Sequence, residues 1–146
     1  MNFGAGHSVF ATRYVGRRLY IGTNSDPFFV VGFPSHYFPL FLGSFHLGGF
    51  SRYIHPYNEN IILNFGRSDH ASTGLKVWII DVTNPFFPNQ LGFFELTEAL
   101  SGSTAEFEHK AFLLSAKKNI MVIPLRLAPR KFNGALFSNI VVGENE

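Results

Sequence analysis

Cysteine is absent from the 146-residue sequence, which excludes a disulfide scaffold, a zinc ribbon and a cysteine nucleophile while leaving the redox compartment open. Charge is scarce: 12 Lys and Arg stand against 10 Asp and Glu, for a net +2. A charge so small and so scattered implies no nucleic-acid surface, and the two local basic pairs, Arg17-Arg18 and Lys117-Lys118, read as water-facing turn residues. No apolar run approaches the roughly 18 residues of a membrane span. The start "MNFGAGHSVF" lacks a basic stretch followed by an apolar one, so no export signal is expected in this chain. There is no glycosylation sequon, no Gly-rich phosphate loop, and no HxH or HExxH spacing. Helix-friendly composition is confined to "ELTEALSGSTAEFEH", which Ser-Gly-Ser interrupts, leaving room for a one- or two-turn excursion at 96–101.

What the sequence has in quantity is aromatic residues: 18 Phe, 5 Tyr and 1 Trp within a 46% hydrophobic composition. Such side chains suit pleated, half-buried surfaces, and the composition is that of a folded chain. The sequence also repeats. "FFVVGFPSHYFPLFLG" (28–43) aligns with "VWIIDVTNPFFPNQLG" (77–92), matching Phe38 with Phe87, Pro39 with Pro88, Leu42 with Leu91 and Gly43 with Gly92. "HSVFATRYVGRRLYI" aligns with "HKAFLLSAKKNIMVI", matching His7 with His109 and Phe10 with Phe112. Three units result. Unit one (6–49) has predicted strands near 8–14, 18–23, 27–32 and 41–47. Unit two (50–101) has them near 52–56, 60–65, 75–82 and 91–97, and unit three (102–142) near 107–114, 119–125 and 134–142, without a fourth. Four short antiparallel strands per 40 to 50 residues is the sequence form of a propeller blade, so the expected fold is all-β, an incomplete array of four-stranded blades with almost no helix.

The segment "DVTNPFFPNQLG" punctuates the second unit. Asp81 should end a strand and hold backbone amides of the turn at 83–85, with Pro85 and Pro88 stopping the strand and Leu91-Gly92 opening the next. In unit one the position aligned with Asp81 is Gly32.

In this order, "DPFFVVGF", "GGFSRYIHPYNENIILNFG", "GLKVWIIDVTNPFFPNQLG", "EHKAFLLSAKKNIMVIPLRL" and "FNGAL" resemble consecutive segments of secreted proteins that carry a C-terminal β-propeller domain distantly related to WD repeats. The resemblance implies a propeller fold and export to the cell surface or beyond. It brings no catalytic residues. A closed propeller takes four to eight blades, so further blades or self-association are expected to complete this array. The end faces should be apolar: some of Phe10, Tyr20, Phe29, Val31, Phe112, Met121, Ile123, Leu136 and Ile140 must lie on faces that a further blade would cover, and those should be partly exposed.

Candidate sites are few. His7, His55 and His109 stand on or just before predicted first strands, where with Glu108 they would face a central channel and could hold a metal. Only His7 and His109 share a register, and ordinary structural histidines are the simpler reading. Glu106 and Glu108 flank Phe107 and would share one face of a strand. The polar loop "NFGRSDHASTG" offers Arg67, Asp69 and His70 as an interaction loop; its Ser72, with His70 and Asp69, is too local a cluster for a triad. No cofactor is implied. The functional reading is a non-catalytic interaction module for a protein or glycan partner. The alternatives are an enzyme or metal site in the channel, or a structural segment with no activity of its own.

Overall fold

The computed structural model describes residues 5–25, 27–69, 74–96, 101–127 and 132–142. These form three antiparallel sheets in chain order. The first contains β1 (Val9–Val15), β2 (Arg18–Thr23), β3 (Phe28–Ser35) and β4 (Phe38–Phe45), and the second β5 (Gly49–Pro56), β6 (Ile61–Ser68), β7 (Leu75–Asp81) and β8 (Asn89–Leu96). In both sheets sequential strands are neighbours, so each is a simple meander. The third contains β9 (Ser101–Gly102), β10 (Leu113–Ser115), β11 (Ile120–Leu127) and β12 (Phe132–Asn139). An open array of antiparallel sheets with no α-helix among the described residues is the expected fold; the third sheet has four strands where three are expected, because β9 and β10 share the place of a first strand beside β11.

The middle sheet shows why the sequence is so apolar. Alternate residues along a strand face opposite sides. Ile54, Ile62, Trp78 and Ile80 join Ala11, Tyr20, Phe28 and Val30 of the first sheet in one core, whereas Leu63, Phe65, Leu75 and Val77 join Phe112, Met121, Ile123 and Ile140 in another. Both faces are covered, so 61–65 reads as a near-continuous apolar run broken only by Asn64, and "VWII" as an unbroken one, instead of alternating. Trp78 is fully buried and its indole N–H donates to the Leu47 carbonyl at 2.9 Å, giving the large ring the partner its polar edge requires.

The turn after β7 works as expected and does more. Asp81 ends the strand, and its Oδ1 accepts from the Thr83 backbone N–H (2.8 Å) and the Thr83 hydroxyl (2.6 Å). The same turn then presses on the first sheet: Arg18 donates to the Val82 carbonyl at 2.8 Å, and a Cβ on Gly43 of β4 would lie 2.5 Å from the Pro85 carbonyl oxygen. Only glycine allows that approach. In unit one, with Gly32 in place of Asp81, β3 runs on to Ser35 and pairs with β4 at Phe38. Its prolines therefore lie inside the strands or at their start instead of ending them, and Pro39 sits on the outermost strand, where a missing donor is tolerated.

The repeated Leu-Gly pairs are β-bulges. Val30 and Val31 pair with Gly43 and Phe41, leaving Leu42 as the extra residue; Ile79 and Ile80 pair with Gly92 and Gln90, leaving Leu91. Each is one residue inserted into an outer strand, a device that sharpens local twist.

Unit three departs from expectation at its first strand. Residues 107–114 do not form one strand. β9 and β10 both pair with the same edge of β11, and two 3₁₀ turns, Thr104–Glu106 and His109–Ala111, interrupt them. The cause is local: Ser103 accepts from the Ala105 N–H while Glu106 accepts from the Ser103 N–H, a capping box that starts a helical turn. The excursion expected at 96–101 falls partly on residues outside the described ones; the turns lie just beyond it.

Of the nine residues among which end-face positions are expected, most face inward or are covered by neighbours. Tyr20, Phe112, Met121, Ile123 and Ile140 are buried against the middle sheet, and Leu136 pairs with Ile123 on that same side. Phe29 and Val31 do lie on the outer face of the first sheet, as partners of Ile21 and Leu19, but are only 7% and 2% exposed because Leu19, Ile21 and Phe41 crowd them. Phe10 is exposed, at the seam between sheets. The outer face of the third sheet instead carries Leu113, Val122 and Phe137, one register step from the residues expected.

Candidate binding cleft

The first strands of the two complete sheets each contain a bulge. In β1, Val9 and Ala11 pair with consecutive residues of β2, making Phe10 the extra residue; in β5, Ser51 and Tyr53 pair with consecutive residues of β6, making Arg52 the extra one. A bulge re-aims a side chain out of the regular alternation. The two re-aimed side chains meet: the Arg52 guanidinium carbon lies 4.6 Å from the centre of the Phe10 ring, 5.3 Å from Phe50 and 5.7 Å from Phe107. Three aromatic faces around one cation is a strong cation–π setting.

Phe10, Arg52 and Phe107 line a cleft of about 320 Å³ between β1, β5 and the 3₁₀ turns of unit three. Arg13 reaches it from β1. Tyr53 sits at the centre, its hydroxyl hydrogen-bonded to His55 Nδ1 at 2.9 Å and its ring packed against Phe112 (5.1 Å) and stacked near His109 (6.4 Å). Burial lowers the His55 pKa, and the Arg13 charge lowers it further; burial raises that of Tyr53, opposed by Arg13. Both effects favour the neutral form of the His55 imidazole.

The candidate residues are distributed as follows. His55 and His109 come together around Tyr53, but His7 does not join them: its Nδ1 meets Ser25 Oγ at 2.8 Å and its ring lies against Phe29, on the outer side of the first sheet. Glu108 is exposed, accepts from the Lys110 N–H at 3.3 Å and lies 3.9 Å from His109. Glu106 does not share a strand face with it. It is buried and takes a bidentate pair from Arg67, with Nε to Oε2 at 2.7 Å and a second nitrogen to Oε1 at 2.8 Å. Arg67 therefore ties β6 to unit three. Asp69 follows β6 and is exposed, its N–H donating to the Gly48 carbonyl at 3.3 Å. His70 lies outside the described residues, as do Ser72 and Thr73. Among the described residues no group of three or more His, Cys, Asp or Glu is arranged to hold a metal ion. Nor, among the described residues, is any helix long and apolar enough to cross a membrane.

Sequence reasoning missed Arg13 and Arg52, which looked like scattered cations, and the Ser103–Glu106 cap. Only the cap had a readable signal, the Ser-x-x-Glu spacing.

With three antiparallel sheets in chain order, and the first strands of two of them meeting the 3₁₀ turns of the third around one cleft, the comparison with known proteins is decisive: residues 1–144 match the Beta propeller domain family. The chain belongs to the β-propeller domain family. Its blades are the three sheets. It is 30% identical over 138 residues to an uncharacterized protein of Archaeoglobus fulgidus, covering 93% of this chain and 21% of that protein. It is 27% identical over 121 residues to an uncharacterized protein of Methanocaldococcus jannaschii, covering 82% and 19%. The chain thus spans about a fifth of the length of these curated relatives. No solved structure matches.

Proposed function

We propose that the chain is a non-catalytic interaction module within a larger propeller, holding a partner at the inner-strand cleft. One observation carries the reading: Arg52 is set among three Phe rings, one of which, Phe107, is 81% exposed. Arginine and aromatic side chains grouped around a pocket make up the composition of binding hot spots. Charged groups poised for proton transfer would instead need a reacting centre between them. The resemblance to exported, distantly WD-related propellers supports a secreted or cell-surface setting, where a protein or glycan would be the partner. Further blades of the same propeller supply cover for the outer faces of the first and third sheets, a reading supported by the greater length of the relatives.

The test is a survey in which the immobilised chain meets arrays of peptides and glycans, with Phe107→Ala as the control. Saturable binding to a subset, with ligand released unchanged and affinity lost in Phe107→Ala, is the expected result. Chemical turnover of a retained ligand would make the domain an enzyme, and binding indifferent to Phe107→Ala would remove the cleft from its function.

A further inference from the structure

The geometry points to a carboxylate ligand: we propose that the cleft takes an acidic side chain on a peptide segment of a protein partner, gripped by Arg52 and Arg13 between the walls of Phe10 and Phe107. The proposal rests on the reading of the domain as an interaction module and names what it binds.

Three observations converge. First, the Arg52 Nε is buried and makes no hydrogen bond among the described residues. A buried donor without an acceptor calls for one. Second, neither Arg13 nor Arg52 has a carboxylate partner among the described residues, although Arg67, at the adjoining seam, is fully engaged in a two-pronged pair with Glu106. The fold thus pairs the guanidinium that knits its sheets and leaves two at the cleft without a carboxylate partner among the described residues. Third, the site is built: one bulge places Phe10, another places Arg52, and the capping box of unit three presents Phe107 immediately after its turn.

The chemistry of the walls selects among anionic ligands. Guanidinium groups recognise planar carboxylates through paired, charge-assisted hydrogen bonds. A sugar acid would bring hydroxyl donors as well, and these need acceptors. The one carboxylate lining the cleft, that of Glu106, is already occupied by Arg67 and the Ser103 N–H. The Tyr53 hydroxyl is likewise shared with His55. A cleft of cationic donors and aromatic faces fits a Glu or Asp flanked by apolar residues better than it fits a polyol.

The experiment follows the Arg52 Nε–H resonance of the isotopically labelled 146-residue chain during titration with an end-blocked Gly-Phe-Glu-Phe-Gly peptide, its Gln counterpart, and tri-galacturonate. The Glu peptide should move the resonance to saturation, with the Gln peptide weaker by about tenfold or more, as expected when a charge-assisted bidentate contact is lost. Read from the backbone amide resonances of Tyr53 and Phe107, Arg52→Lys should weaken the Glu peptide by a similar factor while keeping a dispersed spectrum; Arg13→Gln serves if Arg52→Lys does not fold. Equal binding of the Glu and Gln peptides, both lost in Phe107→Ala, would overturn carboxylate recognition and leave the module reading intact. Tighter binding of tri-galacturonate would assign the cleft to a sugar acid. No shift with any of the three would overturn the proposal, and the array survey then decides separately whether the module reading survives.

Discussion

Arg52 and Phe10 show what a single inserted residue does. Each breaks the alternation of its strand, and the pair makes a contact that neither regular strand would allow. Neither was legible in the sequence, because a bulge is defined by the partner strand and pairing partners cannot be read from composition. Asp81 was legible because its function is local, reaching only two residues ahead to Thr83. His55 yields a prediction at this scale. Its pKa is depressed by burial and then by Arg13, and it faces Tyr53 and Phe112. Above the ordinary imidazole value both folded and unfolded chains hold it neutral, and its contribution to stability is intact. As the pH falls through that value, the unfolded chain takes up a proton that the folded chain resists, so stability drops. The thermal midpoint of the wild type should therefore fall further between about pH 7.5 and about pH 5.5 than that of His55→Gln. Parallel falls would show that this imidazole titrates alike in both states.

At the scale of elements, the strands of units one and two stood where hydrophobic periodicity and turn residues put them, with ends shifted by a few residues. The first strand of unit three did not. Its apolar residues satisfied a strand pattern, but Ser103 and Glu106 offered the backbone a competing local arrangement, and Arg67, 39 residues away in the sequence, fixed it by pairing with Glu106. A local motif and a distant charge together outweighed periodicity, and only the motif was readable in advance. The pair and the cap can be separated by mutation. Glu106→Gln keeps an acceptor for the Ser103 N–H but removes the charge, and should cost roughly 1–3 kcal/mol, the usual penalty for unpairing a largely buried partner. Glu106→Ala loses the cap as well and should cost about 1 kcal/mol more. Urea unfolding followed by the emission of Trp78, the one tryptophan, measures both. Equal costs for the two variants would mean that the cap contributes nothing.

Over the whole molecule the asymmetry lies in how the blades are covered. The middle blade is packed on both faces, whereas the first and third each present one face outward. Tyr14 is 62% exposed and its ring lies tilted against Phe33 on one outer face, and Phe137 is 72% exposed on the other. The existence of open ends was legible from the count of repeats, but which residues face outward was not, because shifting a register by one residue exchanges the two faces. Contiguous apolar faces of this kind associate unless something covers them. Light scattering on the 146-residue chain, at concentrations up to tens of micromolar, tests this account most directly. It predicts a mass that rises above 16.4 kDa with concentration, and that returns toward the monomer value when Leu113 and Phe137 are both changed to Lys. A wild-type chain that stays at 16.4 kDa throughout that range would contradict it.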